Sequence, residues 1–217
     1  MLKKYDVIRS SAISHFVSHL RIKSIPRPAL GKRTKGLKTM ENISQTPIKP
    51  SVRAVENKIS VLFVCHGNIC RSPMAEFILK DMVSKRNMEE QFYIESAATS
   101  TEEIWNGIGN PVYPPAREEL AKHGIRCDGK RAVQLKKSDY EKYDYILGME
   151  ERNIRNMMRI LESDPENKVK LFLSYSSRPR DIADPWYTGD FRVTYRDIVE
   201  GCEGFLQYLK ESGVLSH

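Results

Sequence analysis

An α/β fold in three layers, with a four-stranded parallel sheet flanked by helices on both faces, is the architecture this sequence predicts. Three observations point to it. From Lys58 onward, short apolar and β-branched runs alternate with longer stretches of helical periodicity. The first such run, 59–64, reads Ile-Ser-Val-Leu-Phe-Val, an almost continuous apolar stretch suited to a strand covered on both faces. Strands separated by helices also run parallel, because each crossover helix carries the chain back to the edge where it started.

The elements follow in order. After the strand at 59–64, Ser72-Pro73 opens a helical pattern through Met74, Phe77, Ile78 and Met82. Pro73 suits a first helical turn, where its missing N–H would have had no partner. A second strand is expected at 91–96. A helix follows over 114–123, with Gly124 placed to cap its C-terminus. The third strand is expected at 143–149, its helix at 150–161, the fourth strand at 169–173 and the last helix at 193–209.

Two domains of unequal character are expected. Residues 58–217 read as one folded domain; residues 1–57 read as a basic, disordered extension, punctuated by Pro26, Pro28, Pro47 and Pro50. Only Ile13, Phe16, Val17 and Leu20 show helical spacing there. The extension holds 12 Lys/Arg against 3 Asp/Glu, so the chain's net charge of +7 belongs to it, and the remainder is slightly acidic. A targeting peptide, a basic arm for membrane or nucleic acid, and a later start at Met40 stay open for this segment. No nucleic-acid partner is expected for the folded domain, and no run approaches the roughly 18 apolar residues of a membrane span. The four cysteines, Cys65, Cys70, Cys127 and Cys202, match no zinc spacing, and the five histidines match no metal site. Reduced thiols, a cytoplasmic location, and neither metal nor cofactor are expected; oligomeric state stays open.

The chemistry is concentrated in Val64-Cys65-His66-Gly67-Asn68-Ile69-Cys70-Arg71-Ser72-Pro73, between the buried strand and the helix start. A loop of this length at a helix N-terminus can turn its backbone N–H groups inward into a nest for an oxyanion. Gly67 and Asn68 tolerate the positive φ that such a tight loop demands. Arg71 offers a planar, permanently charged fork for two phosphate oxygens. The loop amides, the helix dipole and Arg71 together favour the Cys65 thiolate, and Ser72 can donate a hydrogen bond to its sulfur.

This loop, placed immediately after the first strand, resembles the fingerprint of the low-molecular-weight protein tyrosine phosphatases, and the resemblance extends over roughly 58–213. It implies a phosphate-binding loop formed by Cys65, His66, Gly67, Asn68, Ile69, Cys70, Arg71 and Ser72. It further implies hydrolysis of phosphotyrosine in protein substrates through a cysteinyl-phosphate intermediate. Cys65 would be the nucleophile, Arg71 the phosphate clamp, and Asp184 of Asp184-Pro185-Trp186-Tyr187 the general acid. Pro185 keeps Asp184 out of helical geometry, as a carboxyl presented from a loop requires. Ser96, in Ser96-Ala97-Ala98-Thr99, would brace the loop, and Trp105, Trp186 and Tyr187 would wall a pocket as deep as a phosphotyrosine is long. Ile69 stands where arginine-phosphatase relatives carry threonine, which favours tyrosine. Cys65 and Cys70 resemble the pair that relatives oxidise to a protective disulfide. Where many relatives have Ala-Arg-Gln, this chain has Ala132-Val133-Gln134. Phosphoarginine hydrolysis and arsenate reduction on the same fold are the alternatives. The latter needs two further cysteines close together, whereas Cys127 and Cys202 are far apart in sequence.

Overall fold

The structure, a computed structural model, describes residues 58–215. The basic extension and its amphipathic spacing lie outside the described residues.

The chain starts with strand β1 (Ile59–Cys65) and, after a five-residue loop, helix α1 (Arg71–Ser84). Strand β2 (Phe92–Ala98) follows, then a two-residue-per-strand hairpin, β3 (Ile104–Trp105) and β4 (Ile108–Gly109), and helix α2 (Pro114–Lys122). Next come β5 (Tyr145–Gly148), α3 (Glu151–Leu161) and β6 (Val169–Leu171), then a one-turn helix α4 (Pro185–Thr188) and the long α5 (Phe191–Glu211). The main sheet has the order β2-β1-β5-β6 with all pairings parallel. The expected four-stranded parallel sheet is present.

Alternation along β1 builds the layers. Val61, Phe63 and Cys65 point to the face covered by α1, α2 and α5, where they join Met74, Ile78, Leu120, Ile198, Cys202 and Phe205. Leu62 and Val64 point the other way, onto Leu135, Tyr140, Ile146 and the α3 residues Met157 and Leu161. Both faces are buried, which explains the near-continuous apolar run. Each fully buried side chain of this size stabilises the fold by roughly 1.5–3 kcal/mol relative to exposure. Cys202 shares its buried helical face with Ile198, Phe205 and Leu209, as its spacing predicts.

Several boundaries moved for local reasons. The fourth strand stops at Leu171, because residues Phe172–Tyr175 turn into a 3₁₀ helix that drives Phe172 into the core against Phe63. Helix α5 starts earlier than its apolar pattern because Asp190 caps it, accepting a hydrogen bond from Val193 N–H at 2.9 Å. Gly124 has the left-handed φ of +76° that a helix-ending residue needs. At Gly148, where β5 passes under α3, an added Cβ would meet Ile154 Cδ1 at 2.8 Å and Met157 Cε at 2.9 Å. A side chain here would force the Ile154 and Met157 ends to move aside. The hairpin β3–β4 and the single turn α4 have no counterpart in the expected elements, being too short for periodicity to reveal.

Candidate active site

The site lies at the C-terminal ends of the parallel strands, where β1 hands over to α1. Cys65 is the last residue of β1 and Arg71 the first of α1. Cys70, at the N-cap position, makes no side-chain cap, so it leaves the first-turn N–H groups of α1 to the loop's concave side. Of the two residues that tolerate it, Asn68 makes the left-handed turn, at φ +56°; Gly67 does not adopt positive φ. Gly67 matters for space instead, since a Cβ there would lie 3.0 Å from Glu103 Cγ.

Asn68 is the loop's keystone. It is buried, and its backbone N–H donates to Cys65 Sγ at 3.3 Å. Its Nδ2 donates to Ser72 Oγ at 2.9 Å and to Ser96 Oγ at 2.8 Å, while Oδ1 accepts from Val133 N–H at 3.0 Å. Ser72 Oγ stands 3.0 Å from Cys65 Sγ. Ser96 Oγ in turn donates to Glu76 Oε2 at 2.6 Å. The buried Glu76 carboxylate is paired with Lys80 at 2.6 Å and Lys130 at 2.7 Å. A continuous, fully satisfied polar network thus runs from the sulfur through the loop to a buried ion pair, which rigidifies the loop.

Arg71 is only 1% exposed. Nη1 donates to Ile182 O at 3.0 Å, and Nη2 to Asp184 Oδ2 at 2.5 Å and to Glu150 Oε1 at 3.2 Å. Burial opposes its charge, but the neighbouring Cys65, Asp184 and Glu150 outweigh that and hold its pKa above the ordinary guanidinium value. Asp184 has the extended backbone that Pro185 demands and caps α4, its Oδ1 accepting from Trp186 N–H at 3.1 Å. Cys70 is held protonated by burial first, then by the charges of Cys65 and Asp184, which push its thiol pKa up. His66 Nε2 lies 2.8 Å from Glu102 Oε2.

Cys65, His66, Gly67, Ile69, Cys70, Arg71 and Asp184 all line one cleft of about 200 Å³, together with Trp186 and Tyr187. Asn68, Ser72 and Ser96 lie behind it as supports. Trp105 is 72% exposed on the β3–β4 hairpin and lies outside the lining of this cleft, where Glu102 and Glu103 stand. Cys127 and Cys202 are buried away from the cleft lining.

Sequence reasoning missed Glu76, Lys130, Glu150, the rim acids Glu102 and Glu103, and Tyr113, whose ring stands 5.1 Å from that of Trp186. Glu76 carried a signal: an acid inside the apolar run Met74-Ala75-Glu76-Phe77-Ile78, one helical turn after Ser72. The Val133 contact is made by backbone, so the missing arginine at that position leaves it intact.

The arrangement sets a sulfur, a buried guanidinium and a carboxyl at the base of one cleft, the constellation for displacement at phosphorus. Comparison with known proteins agrees. The family described as low molecular weight phosphotyrosine protein phosphatase matches residues 60–215. The chain is 38% identical over 155 residues to the low molecular weight protein-tyrosine-phosphatase YfkJ of Bacillus subtilis, covering 70% of this chain and 97% of that protein. It is 39% identical over 153 residues to the rat low molecular weight phosphotyrosine protein phosphatase, covering 68% and 94%. Among solved structures, that of YfkJ superposes with a TM-score of 0.67 at 37% identity, covering 71% of this chain and 96% of that one. The Drosophila arginine phosphatase DARP superposes at 0.62 and 33% identity, covering 69% and 97%. With the match extending over well more than half of its length, the chain belongs to the low molecular weight phosphotyrosine protein phosphatase family.

Proposed function

We propose that residues 58–217 form a protein-tyrosine phosphatase that works through a cysteinyl-phosphate intermediate. One observation carries the reading: Cys65 Sγ receives the Asn68 N–H at 3.3 Å and has Ser72 Oγ at 3.0 Å, in the same cleft as Arg71 and Asp184. In the first step the sulfur attacks phosphorus and the bond to the phenolic oxygen breaks, Asp184 giving its proton to that oxygen. Arg71 exchanges its Asp184 partner for the phosphoryl oxygens, which frees the carboxyl to face the leaving group. In the second step Asp184 takes a proton from water as the water attacks phosphorus. The sulfur departs as thiolate, helped by the Ser72 hydroxyl, and phosphate leaves. Loop amides and Arg71 stabilise the charge that spreads over the transferring group.

Trp186 and Tyr187 at the cleft support an aromatic ester over a phosphoserine, which is too short to bring its phosphate to Cys65. Four free cysteines, one of them acting as a nucleophile, fit a reducing compartment such as the cytoplasm. Among the described residues no helix is long and apolar enough to cross a membrane.

A second reading, phosphoarginine hydrolysis, draws on the likeness to DARP, named an arginine phosphatase. Against it, Ile69 keeps a branched apolar side chain in the cleft lining. Parallel assays on phosphotyrosine and phosphoarginine peptides decide between them. The expected result is turnover of phosphotyrosine that Cys65→Ser abolishes; preferential turnover of phosphoarginine sinks the tyrosine assignment.

A further inference from the structure

One wall of the cleft carries charge of the wrong sign for an anionic substrate. Glu102 and Glu103, on the connection between β2 and β3, both line it. They stand toward the mouth: the Glu102 side chain is 71% exposed, whereas Cys65 and Arg71 at the base are almost fully buried. Their placement is built rather than incidental. Glu102 Oε2 is held by His66 Nε2 at 2.8 Å, next to the nucleophile in sequence. Glu103 Oε2 accepts from Asn110 Nδ2 at 2.7 Å, and its Cγ packs beside Gly67, 3.0 Å from where a Cβ would stand there. Among the described residues, no lysine or arginine forms an ion pair with either carboxylate. The cleft therefore has one guanidinium, Arg71, at its floor to receive phosphate, and an acidic rim that repels it.

Such a rim costs affinity for every phosphate ester unless the substrate supplies compensating positive charge. We infer that Glu102 and Glu103, steadied by His66 and Asn110, are specificity-determining residues that select phosphotyrosine segments carrying lysine or arginine beside the phosphotyrosine. A basic flanking side chain would meet the carboxylates as the phosphate reaches Arg71. An acidic one would add repulsion at the same place. This rests on the reading of the cleft as a phosphotyrosine site.

The test compares kcat/KM of the full chain on pairs of phosphotyrosine peptides that are identical except for lysine or glutamate at the flanking positions. The expected preference for the basic peptide is about fivefold, the size two solvent-exposed ion pairs can supply. It shrinks toward one as salt is raised to about 1 M, where charges are screened over about 3 Å. It shrinks likewise in the Glu102→Gln/Glu103→Gln double variant and reverses in Glu102→Lys. Equal kcat/KM for the two peptides in the unmodified protein overturns the inference. So does a change of the same size for both peptides in the Gln double variant, which would mean that the carboxylates act on the phosphate alone. The salt series needs no variant, so a misfolded mutant cannot decide the outcome. Turnover of free phosphotyrosine by the unmodified protein, run alongside, reports separately on the underlying phosphatase reading.

Discussion

The chemistry of this protein is decided at a few atoms around Cys65, and the residue that arranges most of them is Asn68. Its side chain uses its acceptor and both its donor hydrogens on Val133, Ser72 and Ser96, and its backbone donates to the sulfur from a left-handed conformation. Removing the amide leaves the Val133 N–H without its acceptor and takes one donor each from the buried Ser72 and Ser96 hydroxyls, which keep their bonds to Cys65 and Glu76; an unpaired buried group costs roughly 1–3 kcal/mol. Asn68→Ala is therefore expected to lower unfolding free energy by about 2–4 kcal/mol. It should also lower kcat more than tenfold while KM changes little, since the nucleophile loses its alignment but the Arg71 clamp stays. Denaturant unfolding and steady-state kinetics on one preparation check both halves; a loss confined to KM would place Asn68 in ground-state binding. At this scale the sequence was partly legible. Cysteine, arginine, asparagine and serine stood together in one loop, where their chemistry could be read directly. Of the two loop residues that tolerate positive φ, Asn68 takes it, and Gly67 instead lies close to Glu103, whose Cγ would be 3.0 Å from a Cβ there. Trp105 and the glutamates changed places because a loop's path over a cleft is set by long-range contacts that local spacing does not encode.

At the scale of elements, the sheet and the larger helices were read from periodicity, and the misses are pieces shorter than a period. Helix α4, with its single turn, exists because Asp184 caps it and Pro185 starts it, so the residue read as an acid also shapes the segment that carries it. The loop ahead of this turn is anchored to α5 by Arg180, which bonds Glu200 Oε2 at 2.8 Å and Asp197 Oδ1 at 2.7 Å. The Arg180 hydrogen bonds, against an opposing effect of burial and with help from the charges of Arg180 and Arg178, hold the Glu200 pKa down to about 2 from its usual 4.5. A carboxyl lowered in the folded state contributes stability that is present above its unfolded pKa and is lost as pH falls through the folded value. The contribution is therefore full above about pH 5 and vanishes toward about pH 2. Because both side chains are partly exposed, solvent screening limits it to about 1 kcal/mol. Glu200→Gln should be less stable than the parent at neutral pH, with the difference closing as pH falls over that window. Chemical denaturation at several pH values measures this, and a difference that stays constant down to about pH 2 would rule out the assigned linkage.

Over the whole described unit, the same topology that buries β1 on both faces delivers its last residue to the catalytic cleft. The apolar run 59–64 leads into Cys65, so the proposed nucleophile is fixed by the most buried strand in the sheet, and α1 starts after a five-residue loop with its N-terminus facing that loop. The parallel sheet and its crossover helices were legible for that reason, since burial and handedness demand the same arrangement; the order of the strands was not. Behind the loop, Ser96 was legible through the family resemblance, whereas Glu76 and Lys130 were not, since they come from separate parts of the chain and meet only once the sheet has formed. The central claim, that a phosphoryl group passes through the Cys65 sulfur, is tested most directly by trapping it. Asp184→Ala should slow the water attack, so rapid acid quenching during turnover of a phosphotyrosine peptide should leave a phosphoryl group on the Cys65-containing fragment, identified by mass spectrometry. Sustained turnover with no phosphoryl group on Cys65 in that variant, or undiminished turnover in Cys65→Ser, would contradict the account.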